Sequence, residues 1–335
     1  MNILYQPAQK PVVARLTFFW LCLAVFGCLP VNAQITFTAS DMLTVIGESS
    51  QAYISTNTNP STNIGPTGGP QTWDFSQAPQ EDYVRRLDIV PPTDGGHQAN
   101  FTNATYAERY TDKVSVFQEW DYYNLTTNAG LIYYGSYNTN GGAVVWSNSV
   151  TDIPAIVGYG TNWSYKFSTT NISPYTINDT VTASVDAYGT VVLPQIGKVQ
   201  ALRVNELTEE HVIIHFQPPQ TNYVRDFFWL VPGIGKAVDI VSSISTSPPP
   251  TNFTLAYEVR RVFEANPAGL QIHLQSGLAI LNWLPATGVH GYQLQLQAIG
   301  DLTMTNWQIL ASPASNFWSE ALTPTQRFYR VFIEP

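Results

Sequence analysis

The chain has little cysteine, little charge and no helical patterning, and each shortage limits what it can be. Only two of its 335 residues are cysteines, Cys22 and Cys28, and both lie among the first 33 residues. Charged residues make up 12% of the chain, which is about half of the ~25% that is usual in soluble proteins. No segment repeats its apolar residues at the helical period over about ten residues, which argues against an α-rich fold.

The first 33 residues have the arrangement of a secretory signal. Lys10 and Arg15 supply positive charge, and no acidic residue precedes Asp41. A continuous apolar run follows at residues 16–29 and ends at a proline and a few small residues. This run is too short to span a bilayer comfortably, whereas it fits the apolar region of a cleaved signal. We therefore expect a secreted protein whose mature chain has no transmembrane span.

The signal pattern predicts cleavage between Ala33 and Gln34. The mature chain would then contain no cysteine and no disulfide, and its 13 basic and 24 acidic residues would give a net charge of −11. An acidic chain without a basic run is a poor ligand for nucleic acid, so we predict no nucleic-acid partner. The alternative is a lipoprotein signal in which Cys28 carries the lipid; bulky Phe26 makes it the second choice.

Strand patterns recur along the rest of the chain. Apolar and polar residues alternate at 180–186 and again at 211–216. Clusters of glycine, proline and asparagine separate such runs and predict turns, at residues 59–60, 68–70, 95–96, 140–142 and 218–219. The sequence therefore predicts an all-β protein whose larger part is an antiparallel β-sandwich or an open half-barrel.

One hairpin can be predicted in detail. A strand over 114–123, a turn over 124–130 and a returning strand over 131–137 follow from the alternation and the turn residues. The period of two places Trp120 and Tyr122 on the face opposite to the acidic residues of the same strand.

That hairpin contains the candidate ligand site. Glu119 and Asp121 share a strand face about 6–7 Å apart, near the separation of the carboxyl pairs of glycosidases. Phe117, Tyr123 and Tyr133 would place aromatic rings beside them, as in sugar-binding sites. The alternative is that these residues form only a solvated hairpin face with cross-strand aromatic pairs.

Two other patterns suggest chemistry but fail on spacing. His211 and His215 would lie on the order of 13 Å apart in a strand, so one metal ion could not bind both. The segment 233–236 (Gly-Ile-Gly-Lys) lacks the spacing and the following helix of a phosphate-binding loop, so we interpret it as a turn. We predict no metal and no cofactor.

The C-terminal part, residues 266–335, is predicted to be a separate small β-domain that follows a larger domain over 34–265. A Trp-Leu-Pro stretch at 283–285, a Gly-Tyr pair at 291–292 and a Leu-Thr-Pro turn at 322–324 precede an aromatic strand beginning at Phe328. In these motifs the segment resembles a fibronectin type III-like domain. The resemblance implies a small β-sandwich that lacks its seventh strand, with Phe328 in place of the family's corner tyrosine, and a spacer or binding role.

The larger domain is similar to uncharacterised secreted β-domains of Bacteroidetes and related bacteria. The similarity rests on a Trp-Asp-Phe-Ser motif at 73–76, on Gly158–Trp163 and on the segment 228–236. It adds no activity to the expectation, because domains of this kind have no stated function.

Three functions are compatible with these features. The first is a non-catalytic protein of the cell envelope or the extracellular space, whose partner is a glycan or an envelope protein. The second is a glycan-binding or glycan-cleaving protein that uses Glu119 and Asp121. The third is a carrier that holds an apolar ligand inside a curled sheet.

Overall fold

A computed structural model describes residues 35–56, 60–113, 118–169, 175–214, 217–266, 270–282, 293–300, 308–311, 317–322 and 327–334. Nearly all of this chain is β-structure, and two short 3₁₀ turns are the only helical elements within those ranges. The predicted all-β class is therefore confirmed. The signal segment with Ala33, Gln34 and Cys28, and also Phe117 and His215, lie outside the described residues.

Fifteen strands precede residue 267. They are β1 (Phe37–Thr38), β2 (Ser49–Ser55), β3 (Gly68–Asp74), β4 (Tyr83–Val90), β5 (Tyr106–Asp112), β6 (Gln118–Thr126), β7 (Gly130–Asn138), β8 (Gly142–Ile153), β9 (Ile156–Val157), β10 (Asn162–Thr169), β11 (Tyr175–Leu193), β12 (Gly197–Ile214), β13 (Gln220–Val231), β14 (Gly235–Val241) and β15 (Glu258–Asn266).

Thirteen of these strands form one large sheet, and β1 pairs with β9 in a small separate ladder. The order across the large sheet is β10-β11-β12-β13-β14-β15-β2-β4-β5-β6-β7-β8, and every neighbouring pair along this path is antiparallel. The sheet is open, as the half-barrel alternative requires, because its path has two end strands, β10 and β8.

The predicted hairpin is present as β6 and β7, with a turn of three residues, 127–129, that is shorter than expected. Trp120 and Tyr122 lie on the convex face and are buried there, and Tyr122 stacks on Phe101 with ring centroids 4.0 Å apart. Asp121 and Tyr123 lie on the opposite face, as the alternation predicts.

The turn predicted at residues 68–70 is wrong, because these residues begin strand β3. This strand runs parallel to β11 and pairs with its Gly189–Val192 portion, beyond the part of β11 that pairs with β10. Gly189 permits this approach: a Cβ atom there would lie 2.1 Å from the carbonyl oxygen of Gln71. Glycine and proline at 68–70 predict a turn by composition, but the burial of Trp73 fixes the segment as an edge strand.

The segment that includes β3 covers the convex face of the large sheet. Trp73 and Phe75 meet Trp229 edge-on, at ring-centroid distances of 5.6 and 5.0 Å. Trp229 is fully buried, and an aromatic side chain buried in this way stabilises the fold by about 2–3 kcal/mol. This cluster is the core between the sheet and its covering segment.

Two buried arginines attach the covering segments to the sheet. Arg203 on β12 is 1% exposed; it donates two hydrogen bonds to Asp186, at 2.8 and 3.0 Å, and another to the carbonyl oxygen of Gly65 at 3.1 Å. Arg261 on β15 donates to the carbonyl oxygen of Phe75 at 2.9 Å. Each guanidinium thus holds an irregular covering segment against the sheet through side-chain hydrogen bonds rather than through strand pairing.

The C-terminal strands form two further sheets of three strands each. The strands are β16 (Gln271–Gln275), β17 (Leu278–Asn282), β18 (Gln293–Ile299), β19 (Gln308–Ala311), β20 (Phe317–Ala321) and β21 (Phe328–Glu334). Their orders are β16-β17-β20 and β19-β18-β21, and all pairs are antiparallel. Ala279 and Leu281 are buried within this part, against Trp318 and Tyr329 among others.

Candidate functional site

The large sheet curls until side chains from distant strands meet on its concave side. Lys236 on β14 and Asp152 on β8 are seven strands apart along the sheet, yet Nζ of the lysine lies 3.2 Å from Oδ2 of the aspartate. A contact of this kind requires both residues to point into an enclosed interior. The concave face of the sheet is therefore the wall of an internal space.

The two end strands, β8 and β10, lie side by side where the curl returns on itself. Side chains join them: Nδ2 of Asn148 donates to the carbonyl oxygen of Lys166 at 3.0 Å, and the backbone N–H of Ser168 donates to Oγ of Ser147 at 3.1 Å. The rings of Trp146 and Phe167 stack with centroids 3.5 Å apart. This seam holds the two edges together without a ladder of backbone hydrogen bonds.

One part of the interior is apolar and well packed. Phe37 and Leu43 come from the chain before β2 and are at most 3% exposed, and they pack among side chains from strands around the whole sheet. These side chains are Ile89, Tyr106, Tyr123, Leu131, Ile153, Val157, Ala183, Val185, Leu202, Val204, Phe228 and Leu230. The N-terminal segment of the described chain thus fills this part of the interior.

The adjoining part of the interior is lined by charged groups, which we call the ionisable cluster. It comprises six carboxyl groups and two cations from seven strands: Glu108, Asp121, Asp152, Glu206, Asp226, Asp239, Lys236 and Arg260. The tyrosines Tyr110 and Tyr133 accompany it: Tyr110 donates to Oε2 of Glu108 at 2.6 Å and Tyr133 donates to Oδ1 of Asp121 at 2.9 Å.

The ionisable cluster lies deep in the protein but is in contact with solvent. The side chains of Lys236, Asp239 and Arg260 retain 26%, 20% and 13% of their exposed surface, although all three point to the concave side. By contrast, Leu131 and Val204, in the apolar part of the interior, are fully buried. Water-accessible space therefore lies among the charged side chains.

Burial and crowding raise the pKa of several carboxyl groups in the cluster. Burial raises the pKa of Glu206 to about 7. Burial, and then the neighbouring charge of Glu119, hold the pKa of Asp121 well above its usual range. The pKa of Asp226 is raised strongly by burial and by the hydrogen-bonded carboxyl of Asp239, because two adjacent carboxyl groups cannot both ionise at low free energy.

The two cations of the cluster pair with only some of its carboxyl groups. Burial disfavours the charged form of Lys236, but Asp152, Glu206 and the other acids around it outweigh burial and raise its pKa. Nη2 of Arg260 lies 3.4 Å from Oδ2 of Asp239. Six carboxyl groups therefore face two cations, so the cluster has an excess of acidic groups.

A second set of charged side chains on the same face, around Arg85, also has more carboxyl groups than cations. Arg85 binds Oδ1 of Asp112 through Nε at 2.8 Å, and its Nη1 lies 3.5 Å from Oε1 of Glu258. Glu119 lies near this arginine, and burial raises its pKa while Arg85 lowers it in part. Three carboxyl groups thus share one cation beside the ionisable cluster.

The structure brings together most of the residues predicted from the hairpin. Glu119 and Asp121 lie on the concave face of β6, and Asp121 belongs to the ionisable cluster. Tyr133 binds Asp121, and its ring stacks on Tyr123 with centroids 4.8 Å apart. Tyr123 itself is buried in the apolar part of the interior. Phe117 lies outside the described residues.

Sequence reasoning missed the partners that come from other strands. Glu206, Asp226, Asp239, Lys236 and Arg260 are distributed over β12, β13, β14 and β15. Each is a charged residue in an alternating strand, which by itself indicates only a polar face. Their convergence depends on the curl of the sheet, for which the sequence carries no local signal.

His211, whose spacing from His215 does not fit a metal site, and the segment 233–236, whose spacing does not fit a phosphate-binding loop, have structural roles. His211 lies on β12, with Nδ1 3.0 Å from Oγ1 of Thr221 and Nε2 3.0 Å from Oε1 of Glu209. Gly233 has positive φ in the turn between β13 and β14, and Gly235 has positive φ at the first residue of β14, next to Lys236. In the part of the chain that the structure describes, no group of three or more acidic, histidine or cysteine side chains is placed to hold a metal ion.

Comparison with protein-family models, with curated proteins and with solved structures gives no match for this chain. Within the described ranges, no helix is long and apolar enough to cross a membrane.

Proposed function

We propose that this protein is a non-catalytic binding protein that holds a small polar ligand inside the curled sheet, at the ionisable cluster. The observation that carries this proposal is the contact of Lys236 with Asp152 across the interior, within a set of charged side chains that remain open to solvent. Ligand sites are concave spaces in which a few convergent polar groups fix the orientation of the ligand, and the ionisable cluster supplies such groups.

A purely structural role accounts less well for the cluster. Buried ion pairs contribute little to stability compared with apolar residues of similar size, and an unbalanced set of buried acids opposes folding. The raised pKa of Glu206 and of Asp226 reflects that opposition. Groups that oppose folding in this way concentrate at functional sites.

An apolar ligand is the less favoured alternative. The apolar part of the interior is occupied by Phe37, Leu43 and the side chains around them, all of which are nearly or fully buried. The space that remains accessible is bordered by carboxyl, ammonium and guanidinium groups. Placing an apolar ligand against these groups would desolvate them without compensation.

A sugar ligand is the second candidate, and Asp121 is the specific observation in its favour. This carboxyl is hydrogen-bonded to Tyr133, lies on the same strand face as Glu119, and has a pKa well above its usual range because of burial. A protonated carboxyl can donate a hydrogen bond to a hydroxyl group as well as accept one. The glycan alternative therefore uses the same interior, with Glu119 and Asp121 at its edge.

The proposed cellular setting is export to the envelope or beyond. The apolar run at residues 16–29 supports export, and the paucity of charged residues suits an extracellular β-protein. We propose residues 266–335 as a fibronectin type III-like module that spaces or presents the larger part. Its two antiparallel three-stranded sheets support this assignment.

The test places the same bulky side chain on opposite faces of one strand. Thr208→Trp puts an indole on the concave face of β12, two residues beyond Glu206, and Glu209→Trp puts it on the convex face. Melting temperatures of residues 34–335 and both variants are measured with panels of sugars, amino acids, organic cations and fatty acids. We expect one polar class to raise the melting temperature of the wild type and of Glu209→Trp only.

Each outcome decides the proposal. Loss of the ligand-induced shift in Thr208→Trp, with its circular dichroism spectrum unchanged, supports an interior site. A shift that survives in Thr208→Trp places the ligand elsewhere, and a response to fatty acids alone favours the apolar carrier. If no panel shifts the melting temperature of the wild type, the interior does not bind small molecules and the proposal is wrong.

A further inference from the structure

We propose that the ligand of the ionisable cluster is a small organic cation with a primary ammonium group, such as a linear diamine or a basic amino acid. This inference rests on the proposed interior site and names the class of its ligand. It is carried by the charge of the cluster, by the unpaired polar atoms within it and by the way the protein's own lysine is bound there.

The charge of the cluster selects a cation over an anion. Six carboxyl groups face Lys236 and Arg260, and Glu119, Asp112 and Glu258 add to the acidic side next to Arg85. Because burial and crowding favour the protonated form of several of these carboxyl groups, a cationic ligand would stabilise their ionised form, whereas an anionic ligand would oppose it. Electrostatic complementarity of this kind determines specificity in enclosed sites.

Two unpaired polar atoms, one in the ionisable cluster and one at its border with the apolar part of the interior, provide an independent indication of a missing partner. Tyr106 is 3% exposed, and its hydroxyl has no hydrogen-bond partner among the described residues. This hydroxyl lies within electrostatic reach of Glu108 and Asp152, so it points to the cluster rather than away from it. Oε2 of Glu206 is also enclosed and has no partner within that same part of the chain. Buried polar atoms are seldom left unpaired without a functional reason.

Lys236 shows how the cluster binds an alkylammonium group. Its Nζ lies 3.2 Å from Oδ2 of Asp152 and 4.7 Å from the centroid of the Phe228 ring. A carboxylate on one side and an aromatic face on the other is the arrangement that recognises organic ammonium ions. Tyr123, Tyr133 and Tyr165 supply further aromatic groups near the acids.

The same residues argue against a metal ion. The acids of the cluster come from separate strands, and in the described ranges no three of them are placed as a set of metal ligands. Calcium takes six to eight oxygen ligands at about 2.3–2.6 Å, commonly with several carboxylates converging on one point. An ammonium group needs only two or three acceptors, and Glu206 and Asp226, which lie within electrostatic reach of each other, can supply them.

Binding of a cation at this site must compete with protons. The groups that face the site are Glu108, Asp121, Asp152, Glu206, Asp226 and Asp239, with Lys236, Arg260, Tyr106 and Tyr165. Because the pKa of Glu206 is raised to about 7, this carboxyl is ionised at pH 8 and protonated at pH 5. A cation that binds the ionised form is therefore bound more weakly as the pH falls through 7.

The experiment titrates putrescine into residues 34–335 by isothermal calorimetry at pH 8 and pH 5, with butanediol as the neutral analogue of the same length. We expect putrescine to bind at pH 8, butanediol not to bind, and the putrescine affinity to fall by about tenfold to a hundredfold at pH 5. The double variant Glu206→Gln/Asp226→Asn should lose about tenfold or more in affinity at pH 8.

The control is Glu209→Gln, which removes a carboxyl from the convex face of the same strand and should leave the affinity unchanged. Equal binding by the double variant would place putrescine outside the cluster and overturn the inference. If putrescine fails to bind while Thr208→Trp abolishes the response to a sugar, the ligand class is wrong but the interior site stands. If no compound responds to Thr208→Trp, the proposed function itself is wrong.

Discussion

The two faces of the large sheet bury charge in different ways. On the convex face, Arg203 is 1% exposed and has Asp186 and two backbone carbonyl groups as partners. In the ionisable cluster on the concave face, six carboxyl groups share two cations, and Oε2 of Glu206 has no partner within the described chain. The paired charge fastens a covering segment to the sheet, whereas the unbalanced charge leaves a requirement that a ligand can meet. A buried charged residue therefore indicates a structural role where its partners balance its charge, and a functional role where they do not.

The largest expected effect comes from breaking the paired charge of the convex face. Arg203→Met should lower the free energy of unfolding by about 3–5 kcal/mol, because it leaves the buried carboxylate of Asp186 and the carbonyl group of Gly65 without their arginine donor. Urea denaturation measures the change. The control is Arg86→Met, which removes a half-exposed arginine from Asp88 and should cost less than about 1 kcal/mol. Equal effects of the two variants would show that the buried, fully paired Arg203 contributes no more to stability than a half-exposed ion pair.

The next effect tests whether the covering segment depends on close backbone pairing. Gly189→Ala should lower the free energy of unfolding by about 2–3 kcal/mol, because its Cβ atom would meet the carbonyl oxygen of Gln71 and force β3 away from β11. Gly158→Ala is the matched control, since a Cβ atom there meets open space. Denaturation of both variants in urea gives the comparison. A stable Gly189→Ala protein would show that β3 is not held against β11 as described.

A smaller effect of opposite sign is expected on the concave face. Burial raises the pKa of Glu206 to about 7, so the folded protein takes up a proton that the unfolded chain, with an ordinary glutamate, does not hold between about pH 4.5 and pH 7. This contribution to stability is present below pH 4.5 and is lost as the pH rises through 7. Glu206→Gln should therefore stabilise the ligand-free protein by about 1–3 kcal/mol at pH 8 and by little at pH 5.

Denaturation of the wild type and Glu206→Gln at the two pH values measures this difference. Glu209→Gln, on the convex face of the same strand, provides the control and should change stability little at either pH. A loss of stability in Glu206→Gln at pH 8 would mean that the ionised carboxyl is paired, contrary to the contrast between the faces.

The smallest expected effect concerns the seam between β8 and β10. Trp146→Ala removes the stack on Phe167 and should lower the free energy of unfolding by about 1 kcal/mol, because Trp146 is only partly buried. It should raise the rate of amide hydrogen exchange along β8 and β10 more than along β12 and β13. Uniform exchange along all four strands would show that the seam is as stable as the paired strands.

Part of this organisation could be predicted from the sequence. The alternation at 180–186 and 211–216 gives the strand class, and the alternation of Trp120, Asp121 and Tyr122 gives the two faces of the hairpin correctly. These features depend on residues close in sequence. The acidic pair at Glu119 and Asp121 could be found for the same reason, because both lie on one strand.

The rest depends on contacts between distant segments. Alternation assigns residues to two faces but does not say which face will be enclosed by the curl, so Glu206, Asp226 and Lys236 appear as ordinary polar positions. The strand β3 was missed because glycine and proline at 68–70 predict a turn, and only the burial of Trp73 against Trp229 makes the segment a strand. A pattern among neighbouring residues cannot predict the convergence of these charged residues or the packing of Trp73 on Trp229, because both join residues far apart in sequence.

The central claim is that the concave face encloses ionisable carboxyl groups without enough cations. Carbon-detected NMR titration of the carboxyl groups tests it most directly, with Glu206→Gln used to assign the Glu206 signal. The account predicts that Glu206 titrates near pH 7 without ligand, and that saturating putrescine moves its midpoint to a lower pH. A Glu206 midpoint near the ordinary value of about 4.3, unchanged by putrescine, would contradict the account.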